Sequence, residues 1–217
     1  MALRSLVFSA VTVRAYLETE RAPDTSAYHA KMLRWLKAHK VTAELEPAER
    51  DFVHADIGSL DRSAVADGLW RSEALGVLAW ALGHLTLPEH DEEVDQQAVA
   101  KSLGFMHGAG VLRHPKVRDR RELVEYAGRA RTVHWRLREM TLRQGALDLE
   151  KTASKLAFIN LTGLKLVGGD LALGGKSIAR AKVATVKNAL CIAYQRHQAI
   201  NWLVYGGARY SETDTPT

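Results

Sequence analysis

One cysteine, Cys191, stands in 217 residues. No intramolecular disulfide can form, and such sparing use of cysteine fits a reducing compartment. Proline occurs five times, and no stretch rich in proline, glycine or serine is long enough to read as a linker. Low-complexity tracts and internal repeats are also missing, so one helical domain over residues 1–217 is expected. Long apolar runs are lacking too. The longest uncharged one, Ala74 to Gly83, falls short of the roughly 20 residues that span a bilayer. Leu6 to Val13 behind Arg4 has the look of a short signal segment, but Arg14 ends it and no small-x-small cleavage site follows. An amphipathic first helix, a soluble chain, a cytoplasmic location and no membrane association are the expectations.

Reaction motifs are scarce as well. There is no G-x-S-x-G elbow, and no two of the nine histidines have the spacing of a zinc-binding helix face. Neither a metal nor a cofactor is expected. Gly174-Gly-Lys-Ser177 resembles the end of a phosphate-binding loop, which needs a glycine five positions before its second glycine. Asp170 stands there, and its carboxylate would repel a phosphate. Cys191 lies between Leu190 and Ile192, an apolar setting that raises a thiol pKa and makes it inert. Pairing it with His134 as a thiol enzyme is accordingly disfavoured, and no catalytic residue is assigned.

What is present is helical periodicity. Leu6, Ala10, Val13 and Leu17 share a face. The break from Arg21 to Thr25 offers Asp24 or Thr25 as a cap for a second helix running to about His39. Glu46-Pro47 opens a third helix and Asp61-Arg-Ser63 a fourth, read over residues 64–86. After Glu73 the fourth helix carries no charge until past His84, and a helix apolar on all sides belongs in a core. Gly76 and Gly83 within it would be tolerated where another backbone comes close. After an acidic turn from Pro88 to Asp95 come a short helix, a glycine loop, and a long amphipathic helix from Asp119 to Arg143. Leu123, Ala127, Ala130, His134, Leu137 and Met140 share one of its sides. Short alternating runs around Gly168-Gly-Asp predict a β-hairpin near residues 164–174. Ser177 is then available to cap a final helix, 178–205, ended by Gly206-Gly207. The fold class expected is a mainly α bundle with one small hairpin, centred on helices 64–86 and 178–205.

Charge is unevenly placed. Ten Lys and Arg against four acidic residues lie between Arg113 and Arg143, an excess of six, so the rest of the chain is close to neutral. Arg118, Arg121, Arg129, Arg136 and Arg143 form a candidate partner-binding basic face for an acidic protein, RNA or DNA. The pairs Arg118–Glu122, Arg121–Glu125 and Glu125–Arg129, all four residues apart, favour the plainer reading of a solvated helix face.

Polar residues inside the two apolar helices form a second candidate. Arg71, Glu73, His134, Arg196, His197 and Asn201 constitute either a cleft with binding or acid–base groups, or a buried structural network. The network is favoured because buried charges persist when paired, and Glu73 is expected to neutralise Arg196.

These pieces in order resemble a family. Trp70-Arg-Ser-Glu-Ala-Leu, Leu78-Ala-Trp-Ala-Leu-Gly83, His134-Trp-Arg, Gln195-Arg-His-Gln-Ala-Ile-Asn-Trp-Leu203 and Glu212-Thr-Asp-Thr215 look like the bacterial domain-of-unknown-function family 4272. The resemblance runs from about residue 10 to the C-terminus. Gln195 replaces the usual Glu, Ile200 the usual Leu, and Gly206 to Ser211 lacks a Trp-Asp that ordinarily precedes the tail. The resemblance implies a mainly helical fold and no established reaction. The function expected is a non-enzymatic protein-binding module, such as an immunity protein that neutralises a cognate toxin. The alternatives are an enzyme or small-ligand domain using the Glu/Arg/His cluster, and a nucleic-acid binder using the basic helix.

Overall fold

The computed structural model describes residues 1–20, 22–207 and 209–217. Arg21, which opens the break after the first helix, and Ala208, within the segment Gly206 to Ser211, lie outside the described residues. The chain is mainly α-helical, with a small antiparallel sheet. It forms two compact units within the stretch read as one domain: Met1–Leu87 with Val94–Val117, and Pro88–Glu93 with Arg118–Thr217.

The first unit holds α1 (Ala2–Thr19), α2 (Thr25–Ala38), α3 (Pro47–His54), α4 (Arg62–Ala81) and α5 (Gln96–Ser102). Single 3-10 turns lie at Val41–Glu44 and Gly110–Leu112. Its centre is α1 lying along α4. They approach so closely that a Cβ on Gly68 would stand 2.8 Å from the Ala15 Cβ and 2.7 Å from the Phe52 ring. The expected starts hold: Pro47 follows a capping box of Glu46 and Glu49, and Asp61 accepts from the Ala64 N–H. Thr25 begins α2 with Asp24 at the cap position, but the Asp24 side chain makes no capping bond there.

Two expectations in this unit change. The first helix is not amphipathic; nearly every residue from Arg4 to Leu17 is buried. Its two arginines are neutralised locally. Arg14 donates to the carbonyls of Ala55 and Asp56 and pairs with Glu18 at 2.6 Å, while Arg4 reaches Glu46 and Glu49. The fourth helix ends at Ala81 rather than residue 86. Gly83, at φ +76°, takes the left-handed position just past the helix, and the N–H groups of Gly83 and His84 bond back to Trp80 and Ala79. Gly76 faces a side chain rather than a backbone: a Cβ there would meet Val94 Cγ1 at 2.7 Å.

The second unit holds α6 (Arg120–Arg143), α7 (Leu149–Ala153), the strands β1 (Leu166–Val167), β2 (Asp170–Leu173) and β3 (Lys176–Ser177), and α8 (Val183–Tyr205). Helix α6 packs along α8. Val133, Leu137, Leu149, Leu171, Leu173, Ile178, Val186, Ala189 and Ala193 close a core under them. The sheet is an antiparallel meander, with Leu166 opposite Leu171 and Leu173 opposite Lys176. It exceeds the single hairpin expected because both Gly-Gly pairs are turns. Gly168, Gly169, Gly174 and Gly175 all have positive φ, as a two-residue hairpin loop of the primed type requires at both positions. Ser177 lies in β3 and does not cap the last helix, which starts five residues later than expected, at Val183.

Candidate functional site

Helices α6 and α8 bring two of the sequence candidates together. His134 on α6 and His197 on α8 meet Nδ1 to Nδ1 at 3.0 Å, both buried. One helical turn on, Asn201 Nδ2 lies 3.1 Å from His197 Nε2 and 3.1 Å from the Asp214 carbonyl oxygen. An amide nitrogen only donates, and its two hydrogens match these two acceptors. His197 Nε2 therefore accepts, and its proton sits on Nδ1 and is donated to His134 Nδ1. His134 in turn carries its proton on Nε2. The chain Asn201, His197, His134 thus runs in one direction with both imidazoles neutral.

Burial enforces that neutrality. Desolvation first, and then the Arg138 charge, lower the His134 pKa to about 4. Desolvation, then His134 and Arg131, lower that of His197 to about 3. An imidazole so weakly basic is poorly matched to proton transfer near neutral pH, where a general base works best with a pKa close to the operating pH. His197 borders open space. A cavity of about 730 Å³ in the second unit is lined by His197, Asn201, Arg131 and Phe158, with Glu212 and Asp214 of the C-terminal segment also on its walls.

The other cluster candidates each have contacts within their own unit. Arg196, the residue before His197, is buried and serves the acidic turn. Its Nη1 donates to the carbonyls of Pro88 and Glu89 at 3.2 and 2.9 Å, and its Nη2 to that of Glu92 at 2.6 Å. Other bonds fix the same turn: His90 to the Ala172 carbonyl, the Gly174 N–H to Asp91, Asn188 to Glu93, and Lys165 to Glu89. Arg71 and Glu73 belong to the first unit. Glu73 is buried and accepts the Val94 N–H at 2.9 Å, and the Arg71 guanidinium lies 5.3 Å from the centre of the Phe8 ring.

The basic face is smaller than the sequence suggests. Arg136 is not on it. It is buried, with Nε and Nη2 each 2.7 Å from the two carboxylate oxygens of Asp170, and Nη2 also donates to the Gly145 carbonyl. Asp170 completes its shell by accepting from the N–H groups of Leu147 and Leu171. The sequence reading missed this clasp, although a lone Asp at the head of an apolar strand is a signal for it. Arg121 and Arg143 are exposed, and Arg118 and Arg129 half-buried. Arg118 pairs with Glu122 at 3.0 Å; among the described residues Glu125 closes no ion pair with Arg121 or Arg129. Also among the described residues, no group of three or more His, Cys, Asp or Glu could hold a metal, and no helix is long and apolar enough to cross a membrane.

With a helical fold and a histidine-lined cavity in view, the comparison with known proteins gives a family without a reaction. The family described as Domain of unknown function (DUF4272) matches residues 1–154, and the chain belongs to it. The matched stretch includes Trp70 to Gly83 and His134-Trp-Arg136; Gln195 to Leu203 and Glu212 to Thr215 fall beyond it. No curated protein and no solved structure matches the chain.

Proposed function

We propose that the protein is a non-catalytic binding module whose partner is another protein with an acidic surface. The observation that carries this reading is the state of the His134–His197 pair, buried, neutral and fixed in one tautomer by Asn201. The polar residues that first suggest catalysis thus serve a fixed scaffold, and such a scaffold suits recognition. Arg120, Arg121, Arg138 and Arg143 stand exposed on α6 and supply charge for an acidic partner. Rim cations of this kind raise the association rate and select partners more than they add affinity. We place the interaction in the cytoplasm, where a chain with a single cysteine is at home. A toxin neutralised by direct contact is the specific form this binding takes.

The test is co-purification of the tagged full chain with the products of adjacent genes, followed by titration of any complex with salt. An acidic protein that binds wild type and loses affinity to an Arg121→Glu/Arg143→Glu variant supports the reading. Recovery of nucleic acid instead, with affinity falling linearly in log salt, favours the nucleic-acid alternative. Absence of a stable complex with any neighbouring gene product sinks the protein-binding form.

A further inference from the structure

The cavity beside His197 is lined by an arginine, Arg131, that differs from the buried arginines already described. Arg14, Arg136 and Arg196 each direct their N–H groups at carbonyls or carboxylates. Arg131 does not. It projects from α6 into the cavity lining, with its guanidinium carbon 4.4 Å from the centre of the Phe158 ring. Phe158 is held in turn by the edge of Trp135, 5.6 Å away. The Arg131 Nε is buried and has no hydrogen-bond acceptor, and among the described residues no carboxylate pairs with Arg131. A guanidinium held over an aromatic ring by cation–π attraction keeps its donors for a forked contact with a planar or tetrahedral oxyanion. A buried donor without an acceptor is costly to maintain, which is a reason to look for what satisfies it.

The rest of the lining narrows the ligand. Asn201 spends both amide hydrogens on His197 and Asp214, so its Oδ1 is left to accept. Glu212 and Asp214 also line the cavity and would repel a second negative group while accepting from hydroxyls or amines. About 730 Å³ lies within the range of small-molecule sites. We propose that this cavity is a binding site for a small molecule with one carboxylate or phosphate head and hydroxyl or amine donors on its body, the head held by Arg131 on its Phe158 platform and the body by Asn201. The site is independent of the exposed arginines of α6 and of any protein partner.

Nuclear magnetic resonance of the full chain at pH 7 tests this with inorganic phosphate, glycerol phosphate and free serine as probes, at constant ionic strength. Saturable shifts of the Arg131 Nε–H and the Asn201 side-chain amide with at least one probe, and none with chloride, are the expected result. Serine against the two phosphates distinguishes a carboxylate head from a phosphate head. Arg131→Gln should weaken binding by about 10–100-fold, the loss of a charge-assisted fork, whereas Lys187→Gln, removing an exposed cation of α8, should leave it unchanged. Should Arg131→Gln fail to fold, Arg131→Lys, which keeps the charge without the stacked fork, should still weaken binding several-fold. No saturable shift with any probe, equal weakening by Lys187→Gln, or full affinity in Arg131→Lys would overturn the proposal.

Discussion

His134 and His197 face each other Nδ1 to Nδ1 at 3.0 Å, a contact that exists only while one ring donates and the other accepts. Protonating either ring puts a donor against a donor and places a charge on a buried group. The folded pKa values of about 4 and about 3 lie below the 6.5 of an unperturbed histidine. Between those values the unfolded chain binds more protons than the folded one, so stability rises with pH in that window. The contribution of the neutral pair is full above pH 6.5 and is lost as pH falls toward the folded values. Urea unfolding should show a loss of about 3–4 kcal/mol between pH 7 and pH 5 from these two groups. A His134→Leu/His197→Gln variant should be much flatter over the same range. An unchanged slope in that variant would assign the acid sensitivity to other groups.

Arg136 and Asp170 make the second test. The carboxylate accepts two bonds from the guanidinium and two from backbone N–H groups, and all of this is buried. Asp170→Asn leaves the Arg136 charge uncompensated and should cost about 3–5 kcal/mol. Arg136→Met in the Asp170→Asn background should recover part of that loss, because the stranded charge is gone while the amide oxygen still accepts from Leu171. A double variant weaker than Asp170→Asn alone would contradict the stranded-charge account.

Gly76 separates helix propensity from packing. Alanine should favour an α-helix over glycine by roughly 1 kcal/mol, but its Cβ would sit 2.7 Å from Val94 Cγ1. Overpacking costs about 1–3 kcal/mol, so Gly76→Ala should lower the Tm. In a Val94→Ala background the same substitution should become neutral or stabilising. Lowered stability in both backgrounds would point away from Val94 as the obstacle.

What could be read in the sequence followed from periodicity and punctuation. Pro47 and Asp61 marked true helix starts, and the uncharged run after Glu73 marked a helix buried on all sides. Periodicity failed where buried charges were satisfied from afar. Arg136 looked like surface because its partner, Asp170, is 34 positions away, across a loop and a turn. Arg4 made α1 look amphipathic for the same reason, its acceptors lying in and just before α3, and Arg14 adds the carbonyls of Ala55 and Asp56 to its neighbour Glu18 on α1. The second Gly-Gly turn was legible in principle, since Gly174-Gly175 repeats Gly168-Gly169, but Lys176-Ser177 is too short for a strand pattern to register. Of the candidate site, His197 and Asn201 were read from their place in an apolar helix. Arg131 was passed over among its charged neighbours, because one cation in a basic helix carries no mark of having no partner.

Arg196 offers the last test, on how an irregular segment is held. Its guanidinium reaches three carbonyls of the acidic turn, at Pro88, Glu89 and Glu92. The turn has no helix or strand hydrogen bonds and closes one bond of its own, from the Glu92 N–H to the Glu89 carbonyl, so most of its order rests on outside donors. Arg196→Met keeps the bulk of the side-chain stem and removes every donor, at about 1–3 kcal/mol for each carbonyl left without water or a partner. Hydrogen exchange over residues 88–93 should then speed by at least about tenfold, the change expected when a local opening becomes easier by roughly 1.4 kcal/mol. Arg196→Lys, with a single ammonium able to reach fewer of the three, should fall between. Unchanged protection in Arg196→Met would mean that the bonds from His90, Asp91, Glu93 and Glu89 hold the turn by themselves, and that the charge inside α8 has another purpose.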